Sequence, residues 1–175
     1  MKNYQEKAIR TFKYVPKLDL CRTDSQTVDW LAEHIVEHGR TADRLKKKLI
    51  YKQENIDDTA IVMRMDGQEV TTLHMMLGVV GEVGELTEAC LRYFGTKMMD
   101  HVKLKEEIGD LLWYLTNLCE CYGFSISDAM GANIAKLEAR YSQGVFSFEE
   151  CENRDSEKER EAVASTVEEG KDETA

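Results

Sequence analysis

The chain has little of what breaks or staples a fold. Its 175 residues contain one proline, Pro16, and few glycines outside the stretch "GVVGEVGEL" at 78–86. So little turn punctuation excludes an all-β class and a low-complexity disordered chain. No run of about 18 apolar residues occurs, so no transmembrane helix is expected. The opening MKNYQEKAIR lacks the apolar core of a secretory signal, and an intracellular, cytoplasmic protein is expected. The five cysteines are odd in number and fit no zinc or redox spacing. Cys90 and Cys119 fall on apolar helix faces and read as buried reduced thiols. None of the four histidines, His34, His38, His74 and His101, has a glutamate three residues before it. That excludes the Glu-x-x-His pairs of a ferritin-like di-iron site. It also argues against a histidine-rich zinc site, and a satisfied polar histidine is the reading for His74.

Positive charge is also short. The formal net charge is −10, and no basic footprint for nucleic acid is present. The imbalance is local: residues 149–175 carry 11 acidic and 4 basic side chains, seven of the ten net negative charges. This stretch has little apolar content, and its composition predicts a mobile tail or a solvated helix. An acidic protein that handles a polyanion would need metal ions.

What is present is helical periodicity. Helices are predicted near 3–13, 26–52, 69–94, 103–122 and 127–141. In the second, Val28, Leu31, Ile35, Leu45 and Leu49 mark the apolar positions, and the basic run "RLKKKL" reads as a solvated face. Residues 53–67 read as a connection in which "AIVMRM" forms a short strand or a helical turn. Gly95 and Gly123 are the expected helix stops, and Ser127 is an expected N-cap. Long helices with short connections predict an all-α antiparallel bundle.

Two acidic dyads stand out. Glu82 and Glu85 share one face of helix 69–94, and Glu107 and Asp110 repeat the spacing on helix 103–122. In isolation each pair reads as a solvated acidic face. Glycine changes the balance, because each interior glycine costs a helix about 1 kcal/mol relative to alanine. Gly78 and Gly81 share the strip of Glu82 and Glu85, away from the side of Val79, Val83, Leu86 and Cys90. They leave clearance for a metal–triphosphate complex or for a close partner helix; the place of Gly84, at the strip's edge, is less defined. On helix 103–122, Leu104, Ile108, Leu111, Leu115 and Leu118 form the apolar stripe, with Glu107, Asp110 and Tyr114 beside it. Packed antiparallel, the two helices would bring four carboxylates together, and only a strong cation makes that favourable. Oxygen-only ligation suits Mg²⁺ or Mn²⁺. Asn133, Lys136 and Arg140 share a face of the last predicted helix. Alone they read as a solvated basic face; beside a metal cluster they form a candidate polyphosphate grip.

With these words in place, "GVVGEVGEL", "KLKEEIGDLLWYL" and "NIAKLEARYSQGVFSFEECENRD", the chain resembles the MazG-like all-α nucleoside triphosphate pyrophosphohydrolases, relatives of the dimeric dUTPases and dCTP pyrophosphatases. The family pattern ExxE…ExxD falls on Glu82, Glu85, Glu107 and Asp110. The resemblance covers residues 69–155 well and the first 15 loosely; residues 20–66 are longer than the usual link, as an insertion or extra helix. It implies a family domain over 1–148, followed by the acidic tail 149–175. It implies Mg²⁺ on the four carboxylates, with Mn²⁺ as substitute, and water attack on the α-phosphorus of a (d)NTP to give (d)NMP and pyrophosphate. Glu85 is the implied proton acceptor. Lys136, Arg140 and Arg92 would neutralise phosphates, and Asn133 and Tyr114 would contact phosphate, sugar or base. Trp113, off the carboxylate strip, is assigned to core packing or an interface. A homodimer or homotetramer is implied, with no nucleic-acid or membrane partner. Another pyrophosphate-bearing substrate, such as phosphoribosyl-ATP or an alarmone, and a non-catalytic helical module are the competing readings.

Overall fold

The computed structural model describes residues 2–13, 15, 22–52 and 65–172. Among these, every regular element is a helix: α1 (Lys2–Arg10), α2 (Arg22–Lys46), a π-helical turn (Lys47–Lys52), α3 (Gly67–Thr96), α4 (His101–Cys121), α5 (Ile126–Arg140), α6 (Phe148–Glu152) and α7 (Ser156–Asp172). The all-α expectation holds. Most of the connection, including all but the last residue of "AIVMRM", lies outside the described residues. No helix among the described residues is long and apolar enough to cross a membrane.

Local chemistry sets the helix ends. Asp66 caps α3 through a reciprocal box: its carboxylate accepts from the Glu69 amide, and Glu69 accepts from the Asp66 amide, both at 2.8 Å. Asp100 caps α4 by accepting from the amides of Val102 and Lys103, each at 3.0 Å. The cap of α5 is Ser125, boxed with Asp128, and not the expected Ser127. Ser125 wins because its side chain reaches the amide three residues on while Asp128 returns the bond. Gly95 is not the stop of α3 either. The helix runs one residue further and closes on Lys97 in the left-handed region, φ 57°. Gly123, at φ 77°, does follow the end of α4.

The chain divides into two compact units, residues 19–123 and residues 1–18 with 124–175. In the first of these, α3 packs on both α2 and α4. The α2–α3 crossing is a backbone contact: a Cβ on Gly84 would lie 2.8 Å from the Gly39 Cα, and one on Gly39 would lie 2.7 Å from the Gly84 Cα. The buried face of α2 is therefore made of Val36, Gly39, Ala42 and Lys46, at helical spacing. The larger Val28, Leu31, Leu45 and Leu49, expected to mark the apolar face, are exposed. On α3, Gly78, Gly81, Glu82 and Gly84 of the strip are buried beside Met75, Leu77 and Ala89, while Glu85 is exposed and Val83 on the apolar side stays more than a third exposed.

In the other unit, α5 packs against α7 and α1. Tyr4 donates to the Asn133 amide oxygen at 3.2 Å, and Lys7 pairs with Glu138 at 2.9 Å. Glu159 of α7 is only 3% exposed and accepts from two guanidinium groups. Arg140 grips both its oxygens at 2.8 Å, and Arg154 adds a bond at 3.0 Å. This fork holds the Glu159 carboxyl down at about 2, with the Arg140 hydrogen bonds the largest cause. Of the two expectations for the acidic stretch, a mobile tail or a solvated helix, the helix is found over Ser156–Asp172, with Glu159 buried. A buried charged fork, rather than apolar content, accounts for its packing.

Candidate metal centre

The 19–123 unit brings three of the four expected ligands together. Glu82, Glu85 and Glu107 each place a carboxylate oxygen within 4.8 Å of the other two. Helical spacing puts Glu82 and Glu85 on one strip of α3, and the α3–α4 packing delivers Glu107 opposite them. Asp110, one turn along α4, is exposed and lies outside this trio, although its charge reaches Glu82.

Glu107 is the most informative member. It is 1% exposed, and neither carboxylate oxygen receives a hydrogen bond of acceptable geometry from the described residues. Lys103, one turn earlier and 40% exposed, ion-pairs with it, and its own pKa is raised mainly by that contact. The same ammonium lies 3.5 Å from Glu85 and 3.7 Å from Glu106. A buried carboxylate short of donors is costly unless a cation compensates it. The residues therefore fit a hard divalent cation, since every candidate ligand atom is a carboxylate oxygen.

Glu82 carries the same tension. Burial, and then the charge of Glu85, push its carboxyl up to about 7, against the pull of Lys46. The folded pKa is raised, so the folded protein holds a proton that the unfolded chain releases near 4.5. The metal-free protein therefore loses stability from this group as pH rises from about 4.5 through about 7. A cation must displace that proton, so its affinity moves the other way. Mn²⁺ binding followed by calorimetry is expected to be about tenfold weaker at pH 6 than at pH 8. A pH-independent affinity would show that Glu82 is ionised before the metal arrives.

The third wall of the site comes from α2. Lys46, 4% exposed, donates to the Tyr114 hydroxyl at 2.9 Å, pairs with Asp43 at 3.3 Å and lies 4.0 Å from Glu82. Burial works against its charge, but Tyr114 and Asp43 outweigh it and raise its pKa. The tyrosine ring under this ammonium fills the space over Gly78, where a Cβ would fall 2.1 Å from a ring carbon. Of the two expectations for the glycines, the close-partner one is what Gly78 and Gly84 show. Gly78 admits the Tyr114 ring and Gly84 admits α2, whereas Gly81 has only ordinary contacts, at 3.9 Å.

Asp43 and Lys46 were missed because "RLKKKL" reads as a basic run. The available signal was phase: Lys46 continues the stripe Val36–Gly39–Ala42, whereas Lys47 and Lys48 do not. Tyr114 is buried and bonded to Lys46, and Trp113, half exposed, packs edge-on against it. His74 meets Tyr51 at 3.2 Å, and burial lowers its pKa. Arg92 is 70% exposed and pairs with Glu88. Asn133, Lys136 and Arg140 lie on α5 in the other unit, where Asn133 accepts from Tyr4 and Arg140 is engaged by Glu159.

Residues 70–145, which hold all four carboxylates and α5, match the MazG nucleotide pyrophosphohydrolase domain. The Gene 37 protein of Mycobacterium phage L5 is 27% identical over 78 residues, 42% of this chain and 68% of that protein. No solved structure gives a significant match. With the dyads, the spacing and the all-α architecture all in place, residues 70–145 form a MazG-like nucleotide pyrophosphohydrolase domain.

Proposed function

We propose that the protein is a Mg²⁺-dependent nucleoside triphosphate pyrophosphohydrolase that cleaves a (d)NTP to (d)NMP and pyrophosphate. The observation that carries this reading is Glu107: a buried carboxylate, short of hydrogen bonds, converging with Glu82 and Glu85 inside a nucleotide pyrophosphohydrolase domain. Glu82, Glu85 and Glu107, with Asp110 beside them, would hold the cation. Bound there, Mg²⁺ (or Mn²⁺) would supply Lewis acidity toward the phosphate oxygens and toward a water.

The chain's own residues do the rest. A water oxygen bonds to the α-phosphorus, the bridging bond to the β-phosphate breaks, and pyrophosphate leaves. Glu85, the exposed member of the trio, accepts the water's proton. Glu82 and Glu107 are held by burial and keep the cluster's geometry. Lys136, Asn133, Arg92 and Arg140 remain candidate phosphate or nucleoside contacts. The half-exposed Val83, Ile108 and Leu112 are the surface that a second copy would cover in a homo-oligomer. A cytoplasmic enzyme acting on nucleotide pools fits this chemistry.

The test is a panel of ribo- and deoxynucleoside triphosphates, extended to phosphoribosyl-ATP and alarmones, with Mg²⁺ or Mn²⁺. Equimolar NMP and pyrophosphate are expected, with EDTA abolishing turnover. Release of orthophosphate, or no metal-dependent turnover of any nucleotide, would refute the reading.

A further inference from the structure

Beside the carboxylate trio, α2 and α3 enclose a cavity of about 300 Å³. Arg40, Asp43 and Arg44 line it from α2, and Gly84, Glu85 and Glu88 from α3. The Gly39–Gly84 crossing, where the helices touch by backbone, forms part of its wall.

Most of its charges are already committed. Asp43 is held by Lys46 and Lys47. Glu88 is shared between Arg40 and Arg92, at 3.1 Å from each. Glu85 belongs to the metal centre. Arg44 differs: it is exposed, its one hydrogen bond among the described residues goes to the neutral Thr41 hydroxyl at 2.9 Å, and no ion pair neutralises it among those residues.

We infer that this cavity is the pyrophosphate subsite, taking the β- and γ-phosphates of the substrate, with Arg44 as their guanidinium contact. The inference rests on the pyrophosphohydrolase reading and extends it. Three observations point this way. The cavity wall includes Glu85, so a nucleotide whose α-phosphate lies at the cluster can extend its phosphate chain into the cavity. An unneutralised guanidinium fork matches phosphate oxygens in geometry and charge. Asp43 and Glu88 are already paired with cations, so an entering anion meets less repulsion than a bare count of carboxylates suggests.

The experiment uses the full chain and its Arg44→Ala and Arg44→Lys variants. Removing one charged phosphate contact is expected to raise KM for the triphosphate about tenfold or more, with a smaller change in kcat. Calorimetry with inorganic pyrophosphate and Mg²⁺ should show its affinity falling by the same factor, while Mg²⁺ binding alone is unchanged. The ratio of kcat/KM for NTP over NDP should drop, because the diphosphate lacks the outer phosphate. Lysine, as a single point charge, should recover part of the loss. Unchanged pyrophosphate affinity and KM in Arg44→Ala, with normal wild-type turnover, would overturn the subsite and leave the enzyme reading intact. A wild type that hydrolyses no nucleotide would sink the enzyme reading. Pyrophosphate binding that depends on Arg44 would still uphold the cavity as an anion site, and binding indifferent to Arg44 would sink both.

Discussion

Glu107→Gln is expected to lower kcat/KM for nucleoside triphosphate hydrolysis by at least about a hundredfold, on the order of 3 kcal/mol of transition-state stabilisation. The substitution keeps the volume and removes one formal charge from the centre of the trio. Stability should respond differently. In the metal-free protein the buried Glu107 oxygens receive no hydrogen bond of acceptable geometry among the described residues, so the Lys103 ion pair offsets the buried charge only in part. Glutamine removes the buried charge and brings an amide that can donate to Glu82 or Glu85. Lys103, 40% exposed, can turn to water or keep its contacts with Glu85 and Glu106. The melting temperature without metal should therefore hold steady or rise. The stabilisation that Mg²⁺ confers on the wild type by mass action should shrink or vanish. Thermal melts with and without Mg²⁺, beside turnover assays, check both arms. An active Glu107→Gln protein would remove the carboxylate trio from the mechanism.

Gly84→Val is expected to be the most damaging single change to the scaffold of the 19–123 unit. Its Cβ alone would lie 2.8 Å from the Gly39 Cα, and backbone cannot swing aside as a flexible side chain can. The two helices must separate, at a cost of about 1–3 kcal/mol, and a Tm lower by roughly 4–10 °C should follow. Displacing α3 also disturbs the strip that carries Glu82 and Glu85, so Mg²⁺ affinity should weaken with stability. Gly131→Ala is the control. Gly131 lies in α5 with no heavy atom within 4 Å of an added Cβ, so alanine should stabilise by about 1 kcal/mol through helix propensity alone. Equal melting temperatures for Gly84→Val and wild type would contradict the close crossing.

How much was legible beforehand follows from the range of each signal. The helices and the two dyads rest on spacings of three and four residues, which any α-helix turns into a shared face. Glycines on the acidic strip signalled a close approach. What approached them was not legible, because Gly39 and Gly84 meet across 45 residues of chain and Tyr114 reaches Gly78 from another helix. Helix ends were blurred for a local reason: Ser125 and Ser127 are equally good caps by type, and only the reciprocal Asp128 bond selects between them.

By itself, then, the sequence determined the all-α class, the likeness to a MazG domain and the two acidic dyads, since each depends on residue type at short separation. Tertiary structure alone decided which face is buried. Gly39 of α2 and Gly84 of α3 pack backbone to backbone, and so these small residues went inside while Val28, Leu31 and Val83 stayed exposed. That packing turned Lys46 from a member of a basic run into a buried counter-charge. It also drew Glu82, Glu85 and Glu107 together while leaving Asp110 at the rim. The physical reason is that burial and charge compensation depend on everything within a few ångströms, and in this chain those neighbours come from helices far apart in sequence.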